Sequence, residues 1–287
     1  MKLGQPRLWA PLALLGSVIL AAFTRPAVLR LLHGNLPRFP YACQPLPAPA
    51  YDALAARPLW AKTSLAASPD VKLNGLVRRP KVASAPWVLF FPGNDASQLT
   101  AGQELLERLA GPRDWGLVVY ADRGYDSSGG TPSADTLRED GYGILNGVLT
   151  SEGIPPERLH VVAFSMGGYV AAAGVGAAAR EHKVIASFST LSAVERMEMV
   201  HSMLLARVAM GDLIETLPLL DDVPGPVLVL HGTEDATLNV SQGRAIAARL
   251  GSRAEFRELP GVGHLDMMAN EGALEAVRGM IEKYSRR

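Results

Sequence analysis

The sequence predicts an α/β domain: a mostly parallel sheet covered by helices on both faces. Three observations carry that expectation. Short β-branched apolar runs alternate with longer stretches of helical periodicity from Leu59 to the C-terminus. Several of the runs, Trp87–Phe91 and Leu159–Phe164 among them, are apolar at nearly every position, as strands buried on both faces are. Glycine, proline and acidic residues gather where the runs stop.

Composition bounds the function. The chain has 287 residues, 48% of them hydrophobic, which is room for one large domain and a short appendage. Its 28 basic and 28 acidic residues cancel, and no basic stripe with interleaved aromatics is present, so nucleic acid is not an expected partner. The single cysteine, Cys43, excludes an intramolecular disulfide and reads as an incidental thiol. The six histidines are scattered without zinc spacing, so neither a metal nor a cofactor is expected.

Residues 1–36 carry an apolar, uncharged stretch from Leu8 to Phe23, preceded by Lys2 and Arg7 and followed by Arg25 and Arg30. This is a segment of targeting type. Lacking a clean A-x-A site after it, the segment reads as a retained signal anchor, which would put the protein at a membrane, the inner membrane in a bacterium. A cleaved signal, giving a secreted or periplasmic protein, and a buried core helix are the alternatives. Residues 37–58 are proline-rich and read as an extended linker, or equally as a strap on the domain surface.

The domain then spans 59–287. Leu59–Ala66 and Val71–Val77 form an antiparallel pair around the turn Ala67-Ser68-Pro69-Asp70. Strands follow at Trp87–Phe91, Gly116–Tyr120, Leu159–Phe164, Val184–Phe188, Val227–His231 and Glu255–Leu259. Helices are expected at Leu99–Leu109, Ser133–Leu149, Gly167–Arg180, Ser241–Leu250 and Ala269–Tyr284. The stretch 189–223 interrupts this rhythm with Met197, Met199, Met203, Met210 and several leucines, and reads as a short helical lid insert over an apolar pocket. A helical hairpin without substrate contact is the other reading.

The chemistry centres on Ala163-Phe164-Ser165-Met166-Gly167-Gly168, where an apolar strand stops at a serine and helix-forming sequence starts at once. A hydroxyl held at the tip of such an elbow is exposed, and the first N–H of the helix, that of Met166, points where an oxyanion would form. A serine N-cap on a buried helix would look similar locally. The serine needs a base and an orienting acid. His264 lies in a glycine-rich loop after the last strand, and Asp235 just past Val227–His231, both at C-terminal strand ends like Ser165. The chain order Ser165, Asp235, His264 is the one an α/β-hydrolase arrangement requires. Glu234 and Asp266 are rival acids, and His231 reads as an anchor of the acid loop.

With Phe90-Phe91-Pro92-Gly93-Asn94, Asp122-Arg123-Gly124-Tyr125-Asp126-Ser127-Ser128-Gly129-Gly130, the Ser165 elbow, the Asp235 loop and the His264 loop in order, the chain from Leu59 onward resembles a serine hydrolase of the α/β-hydrolase superfamily. The Arg123 to Gly130 segment is similar to that of small, often membrane-anchored ABHD-type and prolyl-oligopeptidase-like members. The resemblance implies the α/β-hydrolase fold, a Ser165–His264–Asp235 triad, and Asn94 as the second oxyanion donor beside Met166. Two positions depart from the family pattern: Pro92 stands where a histidine is usual, and Ala163 replaces the first elbow glycine. The function implied is cleavage of carboxylic esters, lipid esters or thioesters included, with a small-molecule or lipid-like acyl substrate and a membrane as partners. Peptidase activity and a catalytically silent, membrane-tethered binding protein are the competing expectations.

Overall fold

The protein is described from a computed structural model, in which residues 37–200 and 211–285 are described. The elements in chain order are β1 (Arg38–Pro40), α1 (Ala48–Ala55), β2 (Trp60–Ser68), β3 (Val71–Arg78), β4 (Trp87–Phe91), α2 (Gln98–Ala110), β5 (Gly116–Tyr120), α3 (Ala134–Ser151), β6 (Leu159–Phe164) and α4 (Gly167–Arg180). They continue with β7 (Ser187–Leu191), β8 (Arg196–Val200), β9 (Asp212–Glu215), β10 (Val227–Gly232), α5 (Ser241–Leu250), β11 (Ala254–Leu259) and α6 (Glu271–Tyr284).

Two compact units emerge. Among the described residues, 37–41 with 197–200 and 211–213 make the smaller one. Here β1 runs parallel to β8 with Arg38 opposite Glu198, the Gly211 N–H donates to Glu198 Oε1 at 3.2 Å, and Tyr41 donates to Asp212 Oδ2 at 2.9 Å.

Residues 42–196 and 214–285 make the larger unit, an eight-stranded sheet in the order β2-β3-β5-β4-β6-β7-β10-β11. The first two pairings, β2 with β3 and β3 with β5, are antiparallel, and all others are parallel. Side-chain burial follows position in the sheet. The central strands β4, β5, β6, β7 and β10 are buried at every residue, whereas the edge strands β2 and β11 alternate, as a half-covered edge must. Each parallel pair needs a crossover connection, so every parallel strand delivers its C-terminal end to one edge of the sheet.

Two expectations change, and one open alternative is resolved. The strand expected at Val184–Phe188 lies three residues later, because Val184 is exposed and the buried strand is the more polar Ser-Phe-Ser-Thr-Leu. Extended structure stands where the lid insert 189–223 was expected to be helical, at β8 and β9. Met197 and Met199 are spaced by two, which is strand and not helix spacing. Residues 201–210 of that insert lie outside the described residues.

The proline-rich stretch 37–58 is not a free spacer. From Ala42 on it is a strap on the larger unit, where α1 buries Tyr51 and Leu54. Tyr51 donates to Gly75 O at 2.7 Å, and Gln103 Nε2 donates to Leu54 O at 3.0 Å. Finally, the apolar segment Leu8–Phe23 falls outside the described residues, and no described helix is long and apolar enough to cross a membrane.

At the far, N-terminal ends of the strands, His160 of β6 sits opposite Ser187 of β7 and is fully buried. Ser285 gives its hydroxyl proton to Ile281 O at 2.7 Å, so its oxygen receives the His160 Nε2–H at 3.0 Å, and Nδ1 accepts from Ser187 at 2.7 Å. The neutral ring is thereby satisfied, and burial lowers its pKa to about 4.

Because the unfolded chain takes up this proton near the ordinary histidine value of about 6.5, the contribution of neutral His160 is whole above that pH. It is lost as the pH falls from about 6.5 to about 4. Asp122 and Asp126, pushed up by burial to about 7 and about 6, slope the other way, so the measurement has to be a difference. Urea unfolding of wild type and His160→Gln, compared at pH 7 and pH 4, should show the wild-type advantage shrinking by as much as ~3 kcal/mol. A pH-independent difference would refute the assignment.

Candidate active site

The chain passes from β6 to α4 within two residues, and Ser165 takes up the reversal with φ 53°. For a residue with a Cβ this left-handed backbone costs about 1 kcal/mol or more, so its surroundings must hold it. They do. The Ser165 N–H donates to Leu191 O at 3.0 Å, and its carbonyl accepts from Gly168 N–H at 3.0 Å and Val194 N–H at 3.2 Å.

The neighbouring small residues follow from crowding. A side chain at Gly167 would overlap the carbonyl oxygens of Phe91 and Pro92, so only glycine lets α4 start this close to the end of β4. Ala163, where the usual motif has glycine, is fully buried between Phe91 and Thr190 of the neighbouring strands, and its methyl is accommodated there.

His264 follows β11 in the loop that opens the short 3₁₀ turn Leu265–Met268. Its Nδ1 lies 2.7 Å from Asp235 Oδ2 and its Nε2 lies 3.1 Å from Ser165 Oγ. A carboxylate only accepts, so Nδ1 carries the proton and Nε2 presents its lone pair to the serine hydroxyl. The Phe164 ring, with its centroid 4.9 Å away, packs against the imidazole and limits its rotation.

Asp235 is buried in the turn after β10. Its Oδ1 accepts from the N–H groups of Thr237 at 3.0 Å and Leu238 at 2.7 Å, and its Oδ2 receives His264. His231 Nε2 stands 3.4 Å from the same Oδ2 while donating to Leu238 O at 2.8 Å, so it ties both ends of the acid loop. Burial opposes ionisation of this carboxyl. The bonds from His231, His264 and Leu238 outweigh it and hold Asp235 well below the usual carboxylate range. The rival acids Glu234 and Asp266 are exposed, and neither takes the Nδ1 proton.

Met166 is the N-cap residue of α4, so its N–H belongs to the helix's first unsatisfied turn. Gly93 borders the elbow closely enough that a side chain there would meet Ser165 Cβ at 3.1 Å, which brings the Gly93-Asn94 loop beside the hydroxyl. The Asn94 side-chain oxygen accepts from Ala42 N–H at 2.8 Å and from Tyr125 O–H at 2.6 Å. Behind this loop Gln98 Nε2 bridges Gly93 O at 2.8 Å and Asp122 Oδ2 at 3.0 Å. The roles of Ala42, Gln98 and Tyr125 escaped sequence reading. Ala42 acts through its backbone and leaves no side-chain signal, while Tyr125 stood in view within Arg-Gly-Tyr without a partner to point to.

No protein-family model matches the chain. It is similar to the alpha/beta hydrolase domain-containing protein aho-3 of Caenorhabditis elegans, 29% identical over 216 residues, which are 71% of this chain and 60% of that protein. The human alpha/beta hydrolase domain-containing protein 17B is 24% identical over 201 residues, covering 70% of this chain and 68% of its own length. Among solved structures, an alpha-beta hydrolase from Vibrio vulnificus superposes with a TM-score of 0.66 at 19% identity, covering 90% of this chain and 93% of that one. An esterase from Pyrococcus furiosus gives 0.62 at 14% identity over 79% and 93%. Strand order, the tight strand-to-helix elbow and the likeness to these solved structures show the α/β-hydrolase fold, and the sequence is similar to that of alpha/beta hydrolase domain-containing proteins.

Proposed function

We propose that the chain is a serine hydrolase that cleaves carboxylic esters, thioesters and lipid esters among them, through an acyl-enzyme. The observation that carries this reading is the His264 imidazole, spanning Ser165 Oγ at 3.1 Å and Asp235 Oδ2 at 2.7 Å.

In the first half-reaction His264 Nε2 takes the Ser165 proton as Oγ attacks the carbonyl carbon. The N–H groups of Met166 and Asn94 hold the resulting oxyanion, and Asp235 stabilises the imidazolium. The proton then passes to the leaving oxygen or sulfur as its bond to the acyl carbon breaks. Water, deprotonated by the same imidazole, attacks the acyl-serine, and the imidazolium returns that proton to Ser165 Oγ as the acyl–Oγ bond breaks and the acid leaves. An acyl-chain substrate is favoured by the methionine-rich stretch 197–210 and by the apolar run Leu8–Phe23, which we propose as a membrane attachment. Release of the full-length chain from membranes by an alkaline carbonate wash would count against that attachment.

A fluorophosphonate probe should label wild type and leave Ser165→Ala and Ser165→Gly unlabelled. Equal labelling of all three rejects Ser165 as nucleophile. The two variants also separate chemistry from backbone strain: both lack Oγ, yet glycine accepts φ 53° freely, so Ser165→Gly should unfold at higher urea, by about 1 kcal/mol relative to Ser165→Ala.

Asp235→Asn should fold and still bind the probe slowly, with kcat on p-nitrophenyl esters down roughly 10⁴-fold because the amide favours the wrong imidazole tautomer. Wild-type kcat in that variant would remove Asp235 from the mechanism. No turnover on an ester, thioester and peptide panel by folded wild type would favour a binding protein.

A further inference from the structure

The oxyanion loop is held from two sides by groups that neither attack nor bind the acyl carbon. Asn94 Oδ1 has two lone pairs, and both are taken: one by the Ala42 N–H of the strap at 2.8 Å, the other by the Tyr125 hydroxyl at 2.6 Å. Tyr125 is fully buried, so its hydroxyl is locked to this partner by packing.

The strap is also fastened to the segment that carries Tyr125. The Leu46 N–H donates to Asp126 O at 3.0 Å, Pro45 bridges Asp126 in parallel register, and Ser127 Oγ donates to Leu46 O at 3.4 Å. Asp126 in turn accepts the Leu99 N–H at 2.6 Å through Oδ2, which fixes the first turn of α2 immediately after the loop. Strap, Tyr125 segment and residues 93–99 thus form one hydrogen-bonded frame around Asn94.

We propose that Tyr125 and the Ala42 main chain are positioning groups for the oxyanion hole: by occupying both acceptor sites of Asn94 Oδ1 they fix the residue so that its backbone N–H faces the substrate's carbonyl oxygen. The proposal rests on the serine-hydrolase reading of Ser165. It makes the strap a working part of the site, through a backbone donor that substitution of side chains alone would not find. It also predicts where the effect falls. A donor that is misaimed by a few tenths of an ångström still lets substrate bind but stabilises the transition state less, so kcat drops while KM holds.

The test uses the full-length chain. Tyr125→Phe removes one oxygen and should lower kcat on a p-nitrophenyl ester about tenfold with KM within twofold. Asn94→Ala, which keeps its backbone N–H but loses both clamping contacts, should lose at least as much, and Tyr125→Phe/Asn94→Ala should be no slower than Asn94→Ala alone. Multiplicative losses in the double variant, or wild-type kcat in Tyr125→Phe, overturn the proposal.

A second readout needs no turnover. Amide hydrogen exchange across residues 93–97 should quicken about tenfold in Tyr125→Phe within a Ser165→Ala background, with exchange in β4 and α2 unchanged. Unchanged exchange across 93–97 overturns the clamp whether or not the enzyme is active, and failure of Ser165→Ala to abolish fluorophosphonate labelling separately overturns the hydrolase reading. Should Tyr125→Phe not fold, Ala42→Pro deletes the other donor at the surface and is held to the same exchange and kcat outcomes.

Discussion

Everything at the candidate site depends on how closely three stretches of backbone can approach one another at the C-terminal edge of the sheet. The elbow at Ser165 must fold back between the ends of β4 and β7, and it does so by hydrogen-bonding across to Leu191 and Val194 while α4 starts against the Phe91 and Pro92 carbonyls. At Gly93, Gly167 and Gly168 that approach leaves no room for a side chain. The strain at Ser165 is therefore sustained by β6 lying in the middle of the sheet, hydrogen-bonded on both flanks and buried along its whole length. An edge strand could not hold a serine in this conformation.

The charges around this edge are sorted by their hydrogen bonds. Asp235 is buried, yet four donors converge on it from Thr237, Leu238, His264 and His231, and they keep it ionised. Asp122 and Asp126 are buried as deeply but each has one oxygen without a hydrogen-bond partner among the described residues. Burial pushes them up to about 7 and about 6. Asp235 has donors to spare, and the two acids behind the Gly93-Asn94 loop are held closer to neutrality, which keeps negative charge away from where the proposed oxyanion would develop.

Much of this was legible before any coordinates, for a physical reason. Parallel central strands announce themselves as unbroken apolar runs, and β4, β5 and β6 begin and end where those runs do. Of the three candidate residues that lie together in the structure, Ser165 and Asp235 follow such runs, whereas His264 follows the alternating edge strand β11. The misses share the opposite property. β7 is Ser-Phe-Ser-Thr-Leu, a buried strand without an apolar signature, and β8 and β9 are too short for their period of two to stand out within a methionine- and leucine-rich stretch. The strap was obscured by its prolines, although Tyr51 and Leu54 at helical spacing marked the face it buries. The clamp on Asn94 had no sequence signal on its Ala42 side, since every residue but proline carries an N–H.

Among the described residues both His160 and His264 stand in hydrogen-bond reach of a serine, and the contrast between them shows what the site's arrangement adds. His160 and Ser187 approach to 2.7 Å, nearer than His264 and Ser165 at 3.1 Å, so proximity alone does not single out the proposed pair. Behind His160 stands the Ser285 hydroxyl, a neutral group, and burial without a counter-charge takes the ring down to about 4. Such an imidazole cannot hold the proton it would have to accept. Behind His264 stands a carboxylate kept ionised by its own donors, and an imidazolium formed there is met by a full opposite charge at 2.7 Å. Ser187 also lies mid-frame at the N-terminal strand ends with no helix beginning after it, whereas Ser165 is followed at once by α4 and its unsatisfied first-turn N–H groups. What sets the proposed nucleophile apart from Ser187 is thus the charge one residue further away and the donors beside it, both of which the parallel sheet supplies at its C-terminal edge.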